Sequence, residues 1–439
     1  MSEKKIVLIG AGSVSFTAGL VADVLCGPSI GRGCWPEQWT IGLVDIDERA
    51  LGVARGLTRR MVEARGAACA IEASTDRCEV LPGADVVVTT IGVGGRRAWA
   101  ADARIPREYG VYQPVGDTVM AGGISRAMRQ IPPMVAIAND VARLCPNAHF
   151  FNYGNPMAAI CRAVNRATPA RVTGLCHGVQ GTVRYLCSLA GVPYSETSAL
   201  YFGMNHLTWV THVTHGGESL WPRIEARCAE LGDELGEPFS WELYRAYGAF
   251  PAVLDRHVVE FFPEFFPQGA YYGKQLGVGA YSIESIIEGG DKHFEHLADQ
   301  AEGRVPLDAG IFERTAGEHE ALIDIVGSTF ADAHAVFPMN VPNMTVPQIP
   351  TGFVMELPVL ATSAGRIATT PPLASPGLLA TISEALWGVE ITVDAALQGS
   401  RDLWVQALLY DRCVISESTA RRLVDDLIAA HREYLPQFA

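Results

Sequence analysis

The chain has 439 residues, of which 49% are hydrophobic and 19% charged, and this balance is typical of a globular enzyme that buries a large core. Its length exceeds that of one typical core and predicts two closely packed domains. The formal net charge of −14 argues against a nucleic-acid-binding protein or a basic membrane-surface protein, because both need clustered positive charge. No apolar run approaches the roughly 18 residues of a membrane span.

The start of the chain and its cysteines both predict a reducing, cytoplasmic location. Residues 1–5 lead directly into a strand pattern, without the hydrophobic region of a signal peptide. The ten cysteines are scattered without any C-x-x-C pair, which favours reduced thiols over a disulfide framework.

A glycine-rich turn follows the first predicted strand. The continuous apolar run 5–9 ends in Gly10, Gly12, Ser13 and Val14, and a helical pattern comes next. This order of strand, turn and helix places backbone N–H groups where they can bind a pyrophosphate. A serine takes the third glycine position of the fingerprint, so the motif alone is only moderately specific for a dinucleotide.

The second predicted strand, residues 39–44, ends at Asp45. An acidic residue at the end of the second strand is placed to accept hydrogen bonds from ribose hydroxyls, which favours NAD over NADP. The long loop 27–38 explains why Asp45 lies farther from the glycine turn than is usual. A β-α-β unit that binds nothing is the alternative interpretation.

Another buried strand is predicted at residues 84–90, and the glycine-rich segment 92–97 after it is predicted to be a flexible loop. Arg96 and Arg97 stand in this loop at the carboxyl end of the strand, where ligands bind in open α/β sheets. Either arginine is a candidate for binding a phosphate or an acidic substrate group, although at least one is expected to be a solvated surface residue.

The alternation of strands and helices continues to about residue 190 and then changes. The strand 148–152 is followed by Asn155 and a proline, which are predicted to begin the next helix. Asn155 can be simply the cap of that helix, but its position at the strand end also points it into the ligand crevice. We therefore predict an α/β fold: an N-terminal Rossmann domain with a doubly wound parallel sheet (1–195) and an α+β C-terminal substrate and oligomerisation domain (196–439).

A thiol and two imidazoles follow short strand-like runs in the middle of the chain. Cys176 and His177 end one run, and His206 ends another, thirty residues after the thiol. Soft and borderline donors such as these suit Mn²⁺, Fe²⁺, Co²⁺ or Zn²⁺, so Cys176 and His206 are candidate ligands of a transition metal. A lone cysteine is more often a small buried hydrophobic residue, and a lone histidine is more often packed or capped.

Taken together, these motifs resemble those of family 4 glycoside hydrolases, the NAD- and metal-dependent glycosidases related to lactate and malate dehydrogenases. The similarity extends over nearly the whole chain, and the ordered set is specific although no single motif is. The matching segments are Ile9-Gly10-Ala11-Gly12-Ser13, Val44-Asp45-Ile46-Asp47, Asp117-Thr118, Gly122-Gly123-Ile124, Asn155-Pro156-Met157, Gly174-Leu175-Cys176-His177, Asn205-His206, Val341-Pro342-Asn343 and Val354-Met355-Glu356-Leu357-Pro358.

The resemblance implies NAD, Mn²⁺ or another divalent metal, a small glycoside substrate and a homodimer or homotetramer. In such enzymes the sugar is oxidised at C3, loses its C2 proton to a base, eliminates the C1 substituent, adds water and is reduced again. Carried over by position, Cys176 and His206 bind the metal, Asn155 and Asp117 bind the substrate, and His177 is the acid that assists departure of the aglycone.

The base that removes the C2 proton is expected in residues 248–257, the region that supplies it in the family. Asp255 is the first candidate, and His257 is the second, with a role as metal ligand as its alternative. Alternatively, Asp255 has a purely structural role and forms a surface salt bridge with a neighbouring arginine. The order of Asp255, Arg256 and His257, followed by Glu260, resembles the branch that contains α-galacturonidases.

The histidine directly after Cys176 resembles family members that act on unphosphorylated hexosides, mostly α-linked. Arg96, Arg97 and Arg256 leave room for a charged C6 group, a carboxylate or a sulfonate, because an arginine fork matches either anion. A neutral α-galactoside or α-glucoside is the main rival. Outside the family, a lactate/malate-type dehydrogenase and a catalytically silent NAD-binding protein are alternatives, and the metal pair argues against both.

Overall fold

The computed structural model describes residues 3–313, 321–371 and 375–438. Six parallel strands form the N-terminal half of the main sheet in the order β3-β2-β1-β4-β5-β6, as in a doubly wound dinucleotide-binding fold. The predicted fold class is therefore confirmed. The strands are β1 (Lys4–Ile9), β2 (Trp39–Val44), β3 (Cys69–Ser74), β4 (Val86–Thr89), β5 (His149–Asn152) and β6 (Val172–Gly174).

The helices of this half connect the strands and pack against the sheet. Apolar residues recur in them at helical spacing. In two of them an aspartate satisfies a first-turn amide: Asp47 accepts a hydrogen bond from the Ala50 N–H, and Asp76 accepts one from the Cys78 N–H. The helices are α1 (Thr17–Cys26), α2 (Glu48–Arg65), α3 (Arg77–Val80), α4 (Gly95–Glu108), α5 (Met120–Leu144), α6 (Met157–Ala167) and α7 (Gly178–Ala190).

The C-terminal half adds antiparallel strands to the same sheet. Asn340 pairs with Gly174 at the end of the parallel half, and the sheet grows from there to 13 strands. The elements are β7 (Thr197–Met204), β8 (Leu207–His215), β9 (Glu218–Ser219), α8 (Trp221–Leu231), α9 (Pro238–Tyr247), β10 (Phe250–Ala252), α10 (Leu254–Val258), β11 (Ala270–Tyr271), β12 (Lys274–Gln275), α11 (Ile283–Glu302), α12 (Ala321–Ala331), β13 (Ala335–Pro342), β14 (Val354–Thr362), β15 (Gly365–Ala368), α13 (Pro376–Gln398), α14 (Arg401–Tyr410) and α15 (Glu417–Ala430).

The two predicted domains share one sheet and one hydrophobic core cluster, which draws buried residues from β1 to α15. The boundary at 195 and 196 stays a prediction, as do the number of subunits and the cytoplasmic location. The sequence also predicts a helix over residues 316–331. Its residues 321–331 form α12, and residues 316–320 lie outside the described residues.

Among the helices that the structure describes, none is long and apolar enough to cross a membrane.

A buried ionic cluster fastens the C-terminus to the N-terminal half. Asp102 on α4 is fully buried and accepts hydrogen bonds from Arg129 Nη1 at 2.8 Å, Ser125 Oγ at 2.8 Å and His431 Nε2 at 2.9 Å. Arg129 and Ser125 lie on α5, and His431 directly follows α15. One carboxylate therefore joins α4 to the next helix, α5, and to the end of α15, 329 residues later in the sequence.

We predict that Asp102→Asn lowers the free energy of unfolding by about 3–5 kcal/mol, because it leaves the buried Arg129 guanidinium without its counter-charge. Urea denaturation followed by circular dichroism measures the change. Asp402→Asn, which breaks an exposed pair with Arg421, is the matched control and should leave the denaturation midpoint in place. Equal midpoints for wild type and Asp102→Asn would show that the cluster does not stabilise the fold.

Candidate active site

The carboxyl ends of the parallel strands open into one large cleft of about 1710 Å³. Single small-molecule sites usually enclose about 300–1,000 Å³, so this cleft has room for a dinucleotide together with a sugar. The predicted site residues that line it are Gly10, Gly12, Ser13, Val14, Asp45, Arg96, Arg97, Asp117, Asn155, Cys176, His177, His206, Arg256 and His257.

The glycine turn has the form expected of a pyrophosphate-binding turn. Gly10 has φ of +92°, and a Cβ on it would lie 2.9 Å from the Ile91 nitrogen, so only glycine fits where β1 and β4 end side by side. The N–H groups of Gly10 and Ala11 donate to Val44 O at 2.8 and 3.0 Å. These bonds fix the turn at the rim of the cleft, and the shape and position of the turn fit NAD.

Asp45 lies at the end of β2, beside this turn. Its Oδ2 accepts a hydrogen bond from the Gly12 N–H at 2.8 Å, and its Oδ1 accepts one from the Asp47 N–H at 3.0 Å. A carboxylate can accept about four hydrogen bonds. Asp45 can therefore hold the turn in place and still accept from ribose hydroxyls.

The segment 92–97 differs from its predicted form, because its second half is the first turn of α4. Arg96 Nε donates to Asp291 Oδ1 of α11 at 2.6 Å, so this guanidinium bridges the mouth of the cleft. Arg97 is exposed at the rim. Arg96 lines the cleft with its charge paired to Asp291, and the roles of Arg96 and Arg97 in binding a substrate stay predictions.

His206 occupies the two-residue turn between β7 and β8 and has φ of +66°, a left-handed conformation that few non-glycine residues adopt. Its Nδ1 lies 2.7 Å from Thr118 Oγ1, and that hydroxyl donates its one proton to Asp117 Oδ1 at 2.7 Å. Consequently His206 must be the donor to Thr118. This tautomer leaves the lone pair on Nε2, the arrangement that a metal-binding histidine needs.

Asp117, His206 and His257 form a cluster whose donor atoms all lie within 4.8 Å of one another. The two imidazole rings have their centroids 4.1 Å apart, and Asp117 Oδ1 lies 3.9 Å from His206 Nδ1. One carboxylate and two imidazoles at this spacing can hold a divalent cation. The sequence analysis placed these residues in different roles and did not predict that they come together.

Burial sets the charge of this cluster. It lowers the pKa of His206 to about 4 and that of His257 well below the ordinary value of 6.5, so both imidazoles are neutral at pH 7. Burial alone would raise the pKa of Asp117, but the neighbouring imidazoles and the Arg126 guanidinium outweigh it and lower that pKa. A carboxylate and neutral imidazoles are the protonation states in which these groups bind metals.

Cys176 and His177 directly precede α7, whose N-cap is His177, and both line the cleft. The Gly178 N–H donates to Cys176 Sγ at 3.3 Å, and a helix N-terminus favours the thiolate form of a cysteine. Cys176 is not part of the cluster of three donors, so its role as a ligand stays a prediction. His177 is exposed to the cleft, where an aglycone would leave.

Asn155 is held by two neighbours and keeps one free acceptor. Its Nδ2 donates to Asp117 Oδ2 at 2.9 Å, and its backbone oxygen accepts a hydrogen bond from Arg126 Nε at 3.0 Å. Its Oδ1 is buried without a hydrogen-bond partner. Since buried polar atoms are rarely left unpaired, this oxygen is suited to a hydroxyl of a bound ligand.

Asp255, the first candidate for the C2 base, does not lie in the cleft. It is fully buried, and its carboxylate accepts hydrogen bonds from the Phe239 N–H (3.0 Å), the Ser240 N–H (2.7 Å), Ser240 Oγ (2.6 Å) and Tyr271 OH (2.7 Å). The two amides belong to the first turn of α9, so Asp255 caps that helix. This placement does not support its predicted role as the base, and it does not form the predicted salt bridge with an arginine.

Arg256 does face the cleft, and its Nε is buried without a hydrogen-bond partner. No carboxylate of the described residues forms an ion pair with Arg256 within 4 Å. Arg126 and Thr118 also belong to the site, although sequence reasoning did not select either as a functional residue. Thr118 belongs to one of the segments that resemble the family, whereas Arg126 lies inside the helix α5, where no motif in the sequence marks it as a functional residue.

Comparison with known proteins connects this geometry to a family. The model of the family 4 glycosyl hydrolases matches residues 5–192, and the model of the family 4 glycosyl hydrolase C-terminal domain matches residues 201–414. An α-galactosidase of Bacillus subtilis is 28% identical over 99% of this chain and 100% of its own length. An α-galacturonidase of the same organism is 27% identical over 98% of this chain and 97% of its own length.

Among solved structures, a 6-phospho-α-glucosidase from gut microorganisms, in complex with NAD and Mn²⁺, superposes with a TM-score of 0.84. The superposition covers 99% of both chains at 20% identity, so it supports the fold alone. The two family models together match most of the chain, and the chain therefore belongs to glycosyl hydrolase family 4.

Proposed function

We propose that this enzyme hydrolyses α-glycosides of unphosphorylated hexoses and binds NAD and Mn²⁺, or another divalent cation, in its cleft. The pairing of Asp117 with His206 in the same cleft as the glycine turn, with His257 next to both, is the observation that carries this proposal. The names of its relatives support α-glycosides as substrates, and the NAD and Mn²⁺ bound to a structural neighbour support the cofactors. A lactate/malate-type dehydrogenase would need no such cluster.

If bound in this cleft, NAD would supply hydride transfer from and back to C3 of the sugar, and a cation would supply Lewis-acid stabilisation of negative charge on the sugar oxygens. The ionised Asp117 and the Nε2 lone pair of His206 are the donors that would hold the cation, and Cys176 is the further donor that the sequence predicts. The residues present fit a divalent transition metal, because they combine an anionic oxygen, a neutral nitrogen and a sulfur.

The remaining side chains bind the sugar and move its protons. Asn155 Oδ1 accepts a hydrogen bond from a sugar hydroxyl, and His177 protonates the departing aglycone oxygen. Of the two sequence candidates for the base, His257 lies in the cleft, and its buried Nδ1 has no hydrogen-bond partner. Because its imidazole is neutral, it can accept the C2 proton.

We predict that Asp117→Asn and His206→Gln each weaken Mn²⁺ binding by more than about 100-fold, because each removes a direct donor. Titration calorimetry on the purified protein measures this without requiring turnover. His212→Gln, which changes an exposed histidine of the adjoining strand β8, should bind Mn²⁺ as wild type does. If His206→Gln bound Mn²⁺ as tightly as wild type, the proposal that the cation binds at this site would be wrong.

Hydrolysis in D₂O should place deuterium at C2 of the released sugar, because the C2 proton is lost and regained during turnover. His257→Gln should slow both deuterium incorporation and hydrolysis by roughly 10²–10⁴-fold, the usual contribution of a general base, while Mn²⁺ affinity remains near that of wild type. NMR of the product measures the label. Product with protium alone at C2 would exclude the elimination mechanism, and loss of Mn²⁺ affinity in His257→Gln would make His257 a ligand rather than the base.

Asp255→Asn is the comparison variant for this experiment. We expect it to lower stability, because it weakens the cap of α9, and to incorporate deuterium normally in the molecules that remain folded. A folded Asp255→Asn enzyme that hydrolyses slowly and does not exchange at C2 would return the role of base to Asp255.

We also propose that the substrate carries an anion at C6, a carboxylate or a sulfonate. The unpaired guanidinium of Arg256 supports this, since it lies in the cleft beside the donors, whereas Arg96 is neutralised by Asp291. A bidentate anion would give Arg256 the counter-charge that the chain does not supply. A neutral α-galactoside or α-glucoside would leave this charge unpaired.

Wild-type enzyme should therefore have a higher kcat/KM for an aryl α-galacturonide than for the matching aryl α-galactoside. Arg256→Gln should reduce kcat/KM for the uronide by roughly 10- to 100-fold, as expected for a lost hydrogen bond to a charged group, and change the galactoside little. Arg97→Gln, at the exposed rim, is the control. A wild-type preference for the neutral galactoside would contradict the charged-substrate proposal and leave the mechanism intact.

A further inference from the structure

The loop that carries Asp117 has no regular structure of its own. It connects α4 to α5, and its central residues Val115 and Gly116 are buried. The N–H groups of both residues donate to a single atom, Oε1 of Glu260, at 2.8 and 2.8 Å. Glu260 therefore accepts both backbone hydrogen bonds immediately before Asp117.

Other contacts hold other parts of this loop. The Gln113 side chain accepts from the Gly122 N–H at 2.9 Å and donates to Val119 O at 3.4 Å, which fastens the loop to the start of α5. Trp99 Nε1 donates to the backbone oxygen of Val115 at 2.6 Å. Among these contacts, only Glu260 serves the two central amides, so it holds the backbone directly before Asp117. Asn155 and Thr118 hold the carboxylate of Asp117 itself.

Glu260 also shares a helical segment with His257. Helix α10 continues without a break into a short 3₁₀ turn, Val259–Phe261, and residues three apart on such a segment lie on one face. His257 thus meets Asp117 from the same face on which Glu260 grips the backbone before Asp117. The helical turn from His257 to Glu260 therefore sets the distance between His257 and Asp117.

We propose that Glu260 is a positioning residue that fixes Asp117 against His206 and His257 by accepting the amides of Val115 and Gly116. The proposal rests on the proposed cation site, since it assigns Glu260 to the support of that site. Glu260 itself touches no member of the cluster through a hydrogen bond of its side chain. It acts through the loop.

The two hydrogen bonds from the loop to Glu260, which we call the clamp, require an acceptor oxygen at the right distance from the loop backbone rather than a charge. Glu260 is only 1% exposed, and burial, together with the charge of Asp117, raises the pKa of Glu260 to about 8. A neutral carboxyl or an amide presents the same carbonyl oxygen to the two N–H groups. Gln is therefore the matched replacement, whereas Asp keeps the charge but is one methylene too short.

The experiment compares Glu260→Gln, Glu260→Asp and wild type by two measurements. Amide hydrogen exchange of the peptide that covers residues 111–119 reports the clamp directly and needs no metal. Titration calorimetry with Mn²⁺ reports the cluster. We expect Glu260→Asp to exchange faster in this peptide and to bind Mn²⁺ about 10-fold more weakly, the usual effect of losing an outer support of a metal site. Glu260→Gln should resemble wild type in both.

Glu264→Gln is the control, because it removes a nearby carboxylate that pairs with Arg412 and does not contact the loop. Wild-type exchange and affinity in Glu260→Asp would overturn the proposal, and so would a Glu260→Gln protein as impaired as Glu260→Asp. If wild-type protein binds no Mn²⁺, the proposed cation site fails instead, and the exchange of the loop peptide still decides whether Glu260 holds it.

Discussion

The hydrogen bond between Thr118 and His206 joins the two halves of the chain at the site. Thr118 comes from the loop before α5, whereas His206 comes from the hairpin of β7 and β8. Because the threonine gives its proton to Asp117, this contact fixes the tautomer of His206 and the orientation of both potential ligands at once. The bond therefore orients the neutral imidazole of His206 and the ionised carboxylate of Asp117 relative to each other in the cleft.

The continuous sheet makes such a contact possible. Parallel strands from the N-terminal half and antiparallel strands from the C-terminal half are hydrogen-bonded neighbours, so the ends of β1, β2, β4 and β6 and the turn after β7 keep fixed positions. The glycine turn and the donor cluster therefore open into one cleft. The proposed mechanism, in which a sugar carbon is oxidised and its oxygens are bound to a cation, requires that both sites open into one cleft.

The sequence predicted the parts of the site that depend on local pattern. The glycine turn, Asp45 and His206 were each predicted from a strand-like run that ends at or beside them. Asp255 could not be placed in this way. Asp255 and His257 are two residues apart on a helix, so they cannot face the same side. The pair of Arg96 and Asp291 joins residues 195 positions apart, and no local pattern predicts such a partner.

The fold that the relatives share and the choice of sugar depend on different parts of the protein. Relatives with identities of 27–28% over nearly the whole chain include both an α-galactosidase and an α-galacturonidase, so the shared sheet and cleft do not select the C6 group. We propose that selection depends on side chains of the cleft whose charge is uncompensated. Most arginines named in the cleft walls are neutralised or exposed, while Arg256 carries a buried, unpaired nitrogen. Buried polar groups are usually paired, so a ligand is the expected partner of Arg256. An anion on the sugar would supply both an acceptor and a counter-charge, whereas a hydroxymethyl group would supply an acceptor alone.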